Sequence, residues 1–224
     1  MNQQVTSKER ILKKIRQALT VKSKASFQGI DLDSNIYVHT EEDNLAEIFA
    51  KNFTQNNGQF FYCNNQFDCI DKLLDLIELK KWKHIHADTA AAEILRDTGI
   101  DTLNAKAIKH DKIPVSVTFC ESLIARTGTI LLSSFSNTRK LPVFCKTHIV
   151  IGKLSQLVPD VKDALLVLKN KFGRNMPSGI YFITGPSKSL ALPAISLGQI
   201  PETVYGAFGP AELFLFLIDD SKRS

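Results

Sequence analysis

The stretch "QFFYCNNQFDCIDKLLDLIELKKWKHIHADTAAAEILRD", residues 59–97, decides the fold. It opens with five strand-formers, "QFFYC" (59–63), which read as a short buried strand. Residues 66–80 then carry Phe67, Ile70, Leu73, Leu74 and Ile77 at helical spacing. "KHIHA" (83–87) returns to strand character, and Asp88-Thr89 caps a helix over 89–97. Strands alternating with helices of this length predict βαβ units and a largely parallel sheet.

Upstream, residues 41–56 predict a helix with Leu45, Ile48, Phe49 and Phe53 on one side, stopped by Asn56-Asn57-Gly58. Before it, "VKSKASFQGIDLDSN" reads as linker. Thr6 to Glu9 fits a capping box, and Ile11, Leu12, Ile15 and Leu19 follow as one apolar stripe. The expected organisation is an N-terminal amphipathic helix and linker over 1–30, then one α/β domain over 31–224. Downstream the pattern is richer in strands. "IPVSVTFC" (113–120), "TGTILLSS" (127–134), "THIVIGKL" (147–154), "GIYFIT" (179–184) and "ELFLFLI" (212–218) are predicted strands. A short helical piece is predicted near "ESLIA" (121–125). Pro159 to Lys171 is predicted as helix, with Pro159 in its first turn.

Charge is uneven along the chain. The first 24 residues hold Lys8, Arg10, Lys13, Lys14, Arg16, Lys22 and Lys24 against Glu9 alone, while the whole chain carries +5. The remainder is therefore close to neutral, and the basic balance belongs to one segment. A solvated helix face and a docking helix for an acidic partner both fit that segment. Nothing pairs a basic face with interleaved aromatics, so no nucleic-acid partner is expected. No window approaches about 18 uninterrupted apolar residues, and the N-terminus lacks a signal-peptide core, so no membrane span and a cytoplasmic location are expected. Cys63, Cys69, Cys120 and Cys145 form no CxxC pair and have no histidine at zinc spacing; buried free thiols are expected.

"GIYFITGPSKS" (179–189) raises the question of a phosphate loop. It fails the Walker pattern, because Ser187 precedes Lys188 and Pro186 has no N–H to give. A modest anion site through Ser187, Lys188 and Ser189 and a plain turn both remain open. "ARTGTILLSS" (125–134) places Gly128 between two threonines, a tight turn ahead of a strand that suits the lining of a ligand pocket. His148 is a candidate ligand or acid/base, or a structural histidine entering a strand. His84 and His86 share a strand face, but no third metal ligand accompanies them. Gly206, Gly209 and Pro210 form a turn before the last strand.

Three segments in this order, "ARTGTILLSS", "LPVFCKTHIVI" and "FITGPSKS…YGAFGP", resemble the LUD domain of the lactate-utilisation protein C family. The resemblance covers roughly residues 40–219 and is specific in 113–218. It implies a Rossmann-like α/β fold similar to sugar-phosphate isomerases and CoA transferases. It also implies iron–sulfur oxidoreductase subunits as partners in oxidising L-lactate to pyruvate. Members read A-E-T-G-T, L-S-L-L-P-x-x-H-I-V-V, S-G-P-S-[RK]-T-A-D-I-E and G-V-H-G-P. Here Arg126 replaces the glutamate, Cys145 the proline, Ala191 and Pro193 the two acids, and Phe208 the histidine.

What remains as the expected ligand-binding set is Arg126, Thr127, Gly128, Thr129, His148, Gly185, Pro186, Ser187, Lys188, Gly206 and Gly209. Losing acids while gaining Arg126 predicts a pocket that prefers a small anion. No cofactor is expected. The resemblance implies an accessory or binding subunit whose ionisable site is partly lost. The alternative is a CoA-transferase-like or isomerase-like enzyme using His148, Lys188 and Arg126 on a small anionic metabolite. Covalent CoA transfer needs a nucleophilic glutamate; Glu121 and Glu202 are near, but neither stands in the matching position. In a third reading, the basic N-terminal helix carries the function as a docking arm.

Overall fold

The computed structural model describes residues 7–20, 44–100, 102–104, 113–135, 141–186 and 210–221. The chain divides into two units, Met1–His39 and Thr40–Ser224. In the first, α1 (Ser7–Thr20) has no buried residue, and Ile11, Leu12, Ile15 and Leu19 are all exposed. Thr6 of the expected capping box and the linker lie outside the described residues.

The second unit is built on a six-stranded, wholly parallel sheet. Its strands are β1 (Gln59–Cys63), β2 (Ile85–Ala87), β3 (Thr102–Asn104), β4 (Ile113–Phe119), β7 (Cys145–Lys153) and β10 (Glu212–Ile218), in the order β1-β10-β7-β4-β2-β3. A parallel sheet covered on both faces needs strands that are apolar on both sides. In β10, "ELFLFLI", Leu213, Leu215 and Leu217 face one way and Phe214, Phe216 and Ile218 the other, all buried. Phe216 stacks on Phe61 at 4.8 Å, and Trp82 meets Phe214 edge-on at 6.1 Å.

On the phenylalanine face lie α3 (Gln66–Lys80) and α4 (Thr89–Leu95), through Cys69, Leu73, Leu76, Ala91 and Leu95. Asn65 caps α3 by accepting from the Asp68 N–H, and Asp88 caps α4 by accepting from that of Ala91. A short helix, α5 (Leu141–Phe144), runs straight into β7. The leucine face packs against α2 (Leu45–Gln55) and a second, four-stranded sheet. That sheet runs β8 (Leu157–Val158), β5 (Ser122–Ile124), β6 (Thr129–Ser133), β9 (Ile180–Ile183). β6 is antiparallel to both neighbours, while β5 and β8 are parallel. Helix α6 (Val161–Phe172) covers its far side with Ala164 and Leu168.

Two expectations are adjusted here. "ESLIA" is mostly strand: Ser122–Ile124 is β5, wholly buried between β6 and β8, and the helical piece is the single 3-10 turn Ala125–Thr127 that follows it. Three residues are too few to show a period, and the pairing that makes them a strand is non-local. Pro159 is not in the first turn of α6; Asp160 is the N-cap and the helix begins at Val161. The Asp160 carboxylate satisfies the first N–H groups, a role Pro159 has no acceptor side chain to fill.

The seat of α2 on the second sheet turns on one glycine. Gly128 lies at φ +59°, beside the backbone of α2. A Cβ there would fall 2.6 Å from the Asn52 carbonyl carbon and 2.8 Å from the Phe53 Cα. Gly128→Ala therefore meets both left-handed strain and overpacking, and should cost about 2–4 kcal/mol. Urea unfolding measures it; a loss under about 1 kcal/mol would mean that α2 does not depend on this turn.

Candidate functional site

The structure brings two of the three family-like segments together at the C-terminal end of α2. Asn52 Nδ2 donates to the carbonyls of Ala125 and Arg126, both at 2.9 Å. Asn56 Nδ2 donates to the Thr127 carbonyl at 3.2 Å. The second turn closes on the same helix end: a Cβ on Gly185 would run into the Asn56 carbonyl. The turns are bridged by Thr129 Oγ1 and Thr184 Oγ1, 3.1 Å apart. Arg126, Thr127, Gly128, Thr129, Gly185 and Pro186 are thus gathered around one helix terminus. Ser187, Lys188, Gly206 and Gly209 lie outside the described residues, as do Ala191, Pro193 and Phe208.

Arg126 does not offer an open positive charge. Its guanidinium makes a two-pronged contact with Asp160, Nε to Oδ2 at 3.0 Å and the terminal nitrogen to Oδ1 at 2.7 Å. The Arg126 N–H donates to the Pro159 carbonyl, so backbone and side chain are held by one corner. Planar, bidentate pairs of this kind are among the stronger hydrogen-bonded contacts. The gain in positive potential expected from Arg126 is therefore offset where it arises. A second ionisable group at this sheet, Glu121, is also matched. Glu121 is buried and takes bonds from Ser133 Oγ and Lys171 Nζ, both at 2.6 Å. Thr127 Oγ1 is buried with no partner among the described residues.

His148 stands apart from the turns. It lies in β7, fully buried, with Nε2 2.9 Å from Thr118 Oγ1 on β4. Strand register sets it in a row with Ser116 and Leu213, and Ser116 in turn pairs with His86. Burial alone pushes the His148 pKa down from 6.5 to about 3, so the ring is neutral near pH 7. His86 is lowered too, first by burial and then by the neighbouring His84. Next along the sheet, burial raises the Asp88 carboxyl against backbone bonds from Ala91 and Phe119. Among the described residues no group of three or more His, Cys, Asp or Glu is placed to hold a metal.

Sequence reasoning found the turns but missed what holds them. Asn52 carried no signal, and Asn56 read only as a helix stop. Asp160 lies 34 positions from Arg126, and no local pattern links the two.

Two consequences are measurable. Arg126→Glu sets two carboxylates face to face and should lose about 1–3 kcal/mol, scaled by the partial exposure of the pair. Adding Asp160→Asn keeps an N-cap side chain, removes the repulsion and should recover part of that loss in urea unfolding. Additive losses would show that the pair does not couple. For His148, the unfolded chain takes up a proton near pH 6.5 while the folded chain resists it until about pH 3. Stability that is complete above pH 6.5 is lost as pH falls through that window, by up to ~1.4 kcal/mol per pH unit. His148→Gln should flatten this part of the acid limb. His86 and Asp88 are common to both proteins and drop out of the difference; parallel limbs would contradict the reading.

The LUD domain family model matches residues 46–218. Lactate utilization protein C of Bacillus licheniformis is 31% identical over 115 residues, covering 50% of this chain and 45% of that protein. The Bacillus subtilis protein of the same name is 30% identical over 115 residues, with the same coverage. That of Bacillus pumilus is 30% identical over 130 residues, covering 54% and 51%. The chain thus spans about half the length of the curated relatives it matches. A crystal structure of a DUF162 family protein from Deinococcus radiodurans shares the fold, with a TM-score of 0.55 at 14% identity. The match covers 78% of this chain and 96% of that one. Family model, turn motifs and a mostly parallel sheet flanked by helices agree, and the chain belongs to the LUD domain family.

Proposed function

We propose that this LUD domain is a cytoplasmic binding or accessory component of L-lactate or related organic-acid utilisation, working beside iron–sulfur oxidoreductase subunits. The name shared by the curated relatives supports the metabolic assignment. Among the described residues, no helix is long and apolar enough to cross a membrane. The observation that carries the mode of action is the bidentate Arg126–Asp160 pair. Where the family pattern has a glutamate, this chain has a cation already matched by its own carboxylate. The turns then recognise by shape and by neutral hydrogen bonds from hydroxyls such as that of Thr127, rather than by proton transfer.

The CoA-transferase-like reading takes second place on one contact. Glu121, the nearest carboxylate in sequence, is held by Ser133 and Lys171 instead of standing free as a nucleophile.

The test has two arms. The tagged full chain should recover an iron–sulfur oxidoreductase subunit from native lysate, identified by mass spectrometry and its cluster absorbance. Calorimetric titration with lactate, inorganic phosphate and acetyl-CoA should give binding without a covalent adduct. Recovery of no such subunit sinks the partnership. An acyl adduct on a glutamate replaces the accessory role with the enzyme.

A further inference from the structure

Helix α1, "SKERILKKIRQALT", has no buried residue. At about 100° per residue, Ile11, Leu12, Ile15, Ala18 and Leu19 fall within one arc of about 120°, the width of an apolar face that ordinarily covers a core. That face is open: Ile11 is 59% exposed, Ile15 50% and Leu19 78%. A helix of 14 residues is marginal in water by itself, and a surface that takes up its apolar arc would stabilise it.

The charge on α1 says what kind of surface. Lys8, Arg10, Lys13, Lys14 and Arg16 stand against Glu9 alone, so most of the whole chain's +5 sits on this one helix. On the same wheel Lys14 borders the apolar arc on one side and Arg16 on the other. Their methylene stems can lie along the arc while their charged heads stay at its rim. Arg10 and Lys13 occupy the outer face. A groove in a protein partner meets the two rims with different walls and leaves the outer face to water. A negatively charged plane meets both rims alike. Its potential also reaches about 10 Å into solution, roughly the thickness of a helix, so the outer cations are attracted as well.

We propose that α1 is an interfacial anchor that lies flat on an anionic phospholipid bilayer. Ile11, Ile15 and Leu19 enter the boundary between headgroups and acyl chains, and the cations on the rims meet lipid phosphates. The helix does not span. It rises about 21 Å, short of a hydrocarbon core of roughly 30 Å, and its charged residues would not enter that core. Attachment of this kind is reversible, since it depends on lipid charge and on salt.

The test mixes the full chain with vesicles of phosphatidylglycerol and phosphatidylcholine in equal parts, or of phosphatidylcholine alone, and sediments them. Pelleting is expected to be at least ~tenfold stronger with the anionic vesicles and to be released by salt. No pelleting at low salt, or equal pelleting with both, would overturn the proposal. Retention on immobilised polyglutamate without vesicle binding would overturn it in favour of an acidic protein partner. Ile15→Asp combined with Leu19→Asp should abolish pelleting and leave the urea unfolding of the second unit unchanged, because neither residue is buried. Pelleting that survives both changes would remove the apolar face from the contact and overturn the anchor. Ile15→Trp reads insertion directly. Subtracting the parent spectrum cancels Trp82, the one native tryptophan, and the new indole should shift to the blue on anionic vesicles and be quenched by brominated acyl chains. An unshifted, unquenched indole on sedimented protein would also overturn it. None of these readouts involves lactate or an iron–sulfur subunit, so the anchor stands or falls separately from the metabolic assignment.

Discussion

The second unit rests on the close approach of a helix backbone to a glycine. Gly128 sits where the main chain of α2 passes with no room for a side chain. Three consequences follow from that single contact. Asn52 and Asn56 reach the carbonyls of the turn, Phe53 is driven into the core, and the second turn at Gly185 finds its seat on the same helix end. Backbone groups that turn away from a sheet must find partners elsewhere, and here two asparagine amides supply them. The turn residues shared with the family are thereby explained as packing before any chemistry is invoked.

Above that contact the layers follow from the faces of β10. A strand apolar on both sides demands a cover on each. The chain supplies α3 and α4 for the phenylalanine face, and α2 with the small mixed sheet for the leucine face. Within the six-stranded sheet, polarity enters this interior along the row His86–Ser116–His148, with Thr118 and Asp88 beside it. Ser116 bonds the Leu141 carbonyl, Thr118 bonds His148, and Asp88 takes backbone amides from two directions. Buried polar groups of this kind persist when partnered. The row is nearly satisfied, with the Nδ1 atoms of His86 and His148 left over among the described residues.

What the sequence made legible was whatever repeats or punctuates locally. β10 was readable because six apolar residues run together after Glu212, and α3 because its apolar positions recur every three or four residues. Asp88 was readable as a cap by its chemistry and place. The second sheet was not foreseen, since β5 and β8 have three and two residues and owe their form to partners far along the chain. The same limit hid the fate of Arg126. Its charge was visible, but its neutralisation depends on a helix N-cap brought alongside by the fold. His148 was visible as a histidine entering a strand; its neutrality comes from total burial, which no single residue type reports.

The pairing of β1 with β10 has a temporal side. The first and last strands of this unit are neighbours, and β10 separates β1 from β7. During synthesis, β1 emerges with one edge lacking its partner and waits for some 150 further residues before residues 212–218 appear. The central layer is thus completed last, by an insertion between two strands already made. Long-range parallel pairing of this sort is slow, and the waiting edge is open to other chains. Shortening the chain at its C-terminus by a dozen residues would remove all of β10 but Glu212 and leave β1 without its partner, cut off from the four strands beyond.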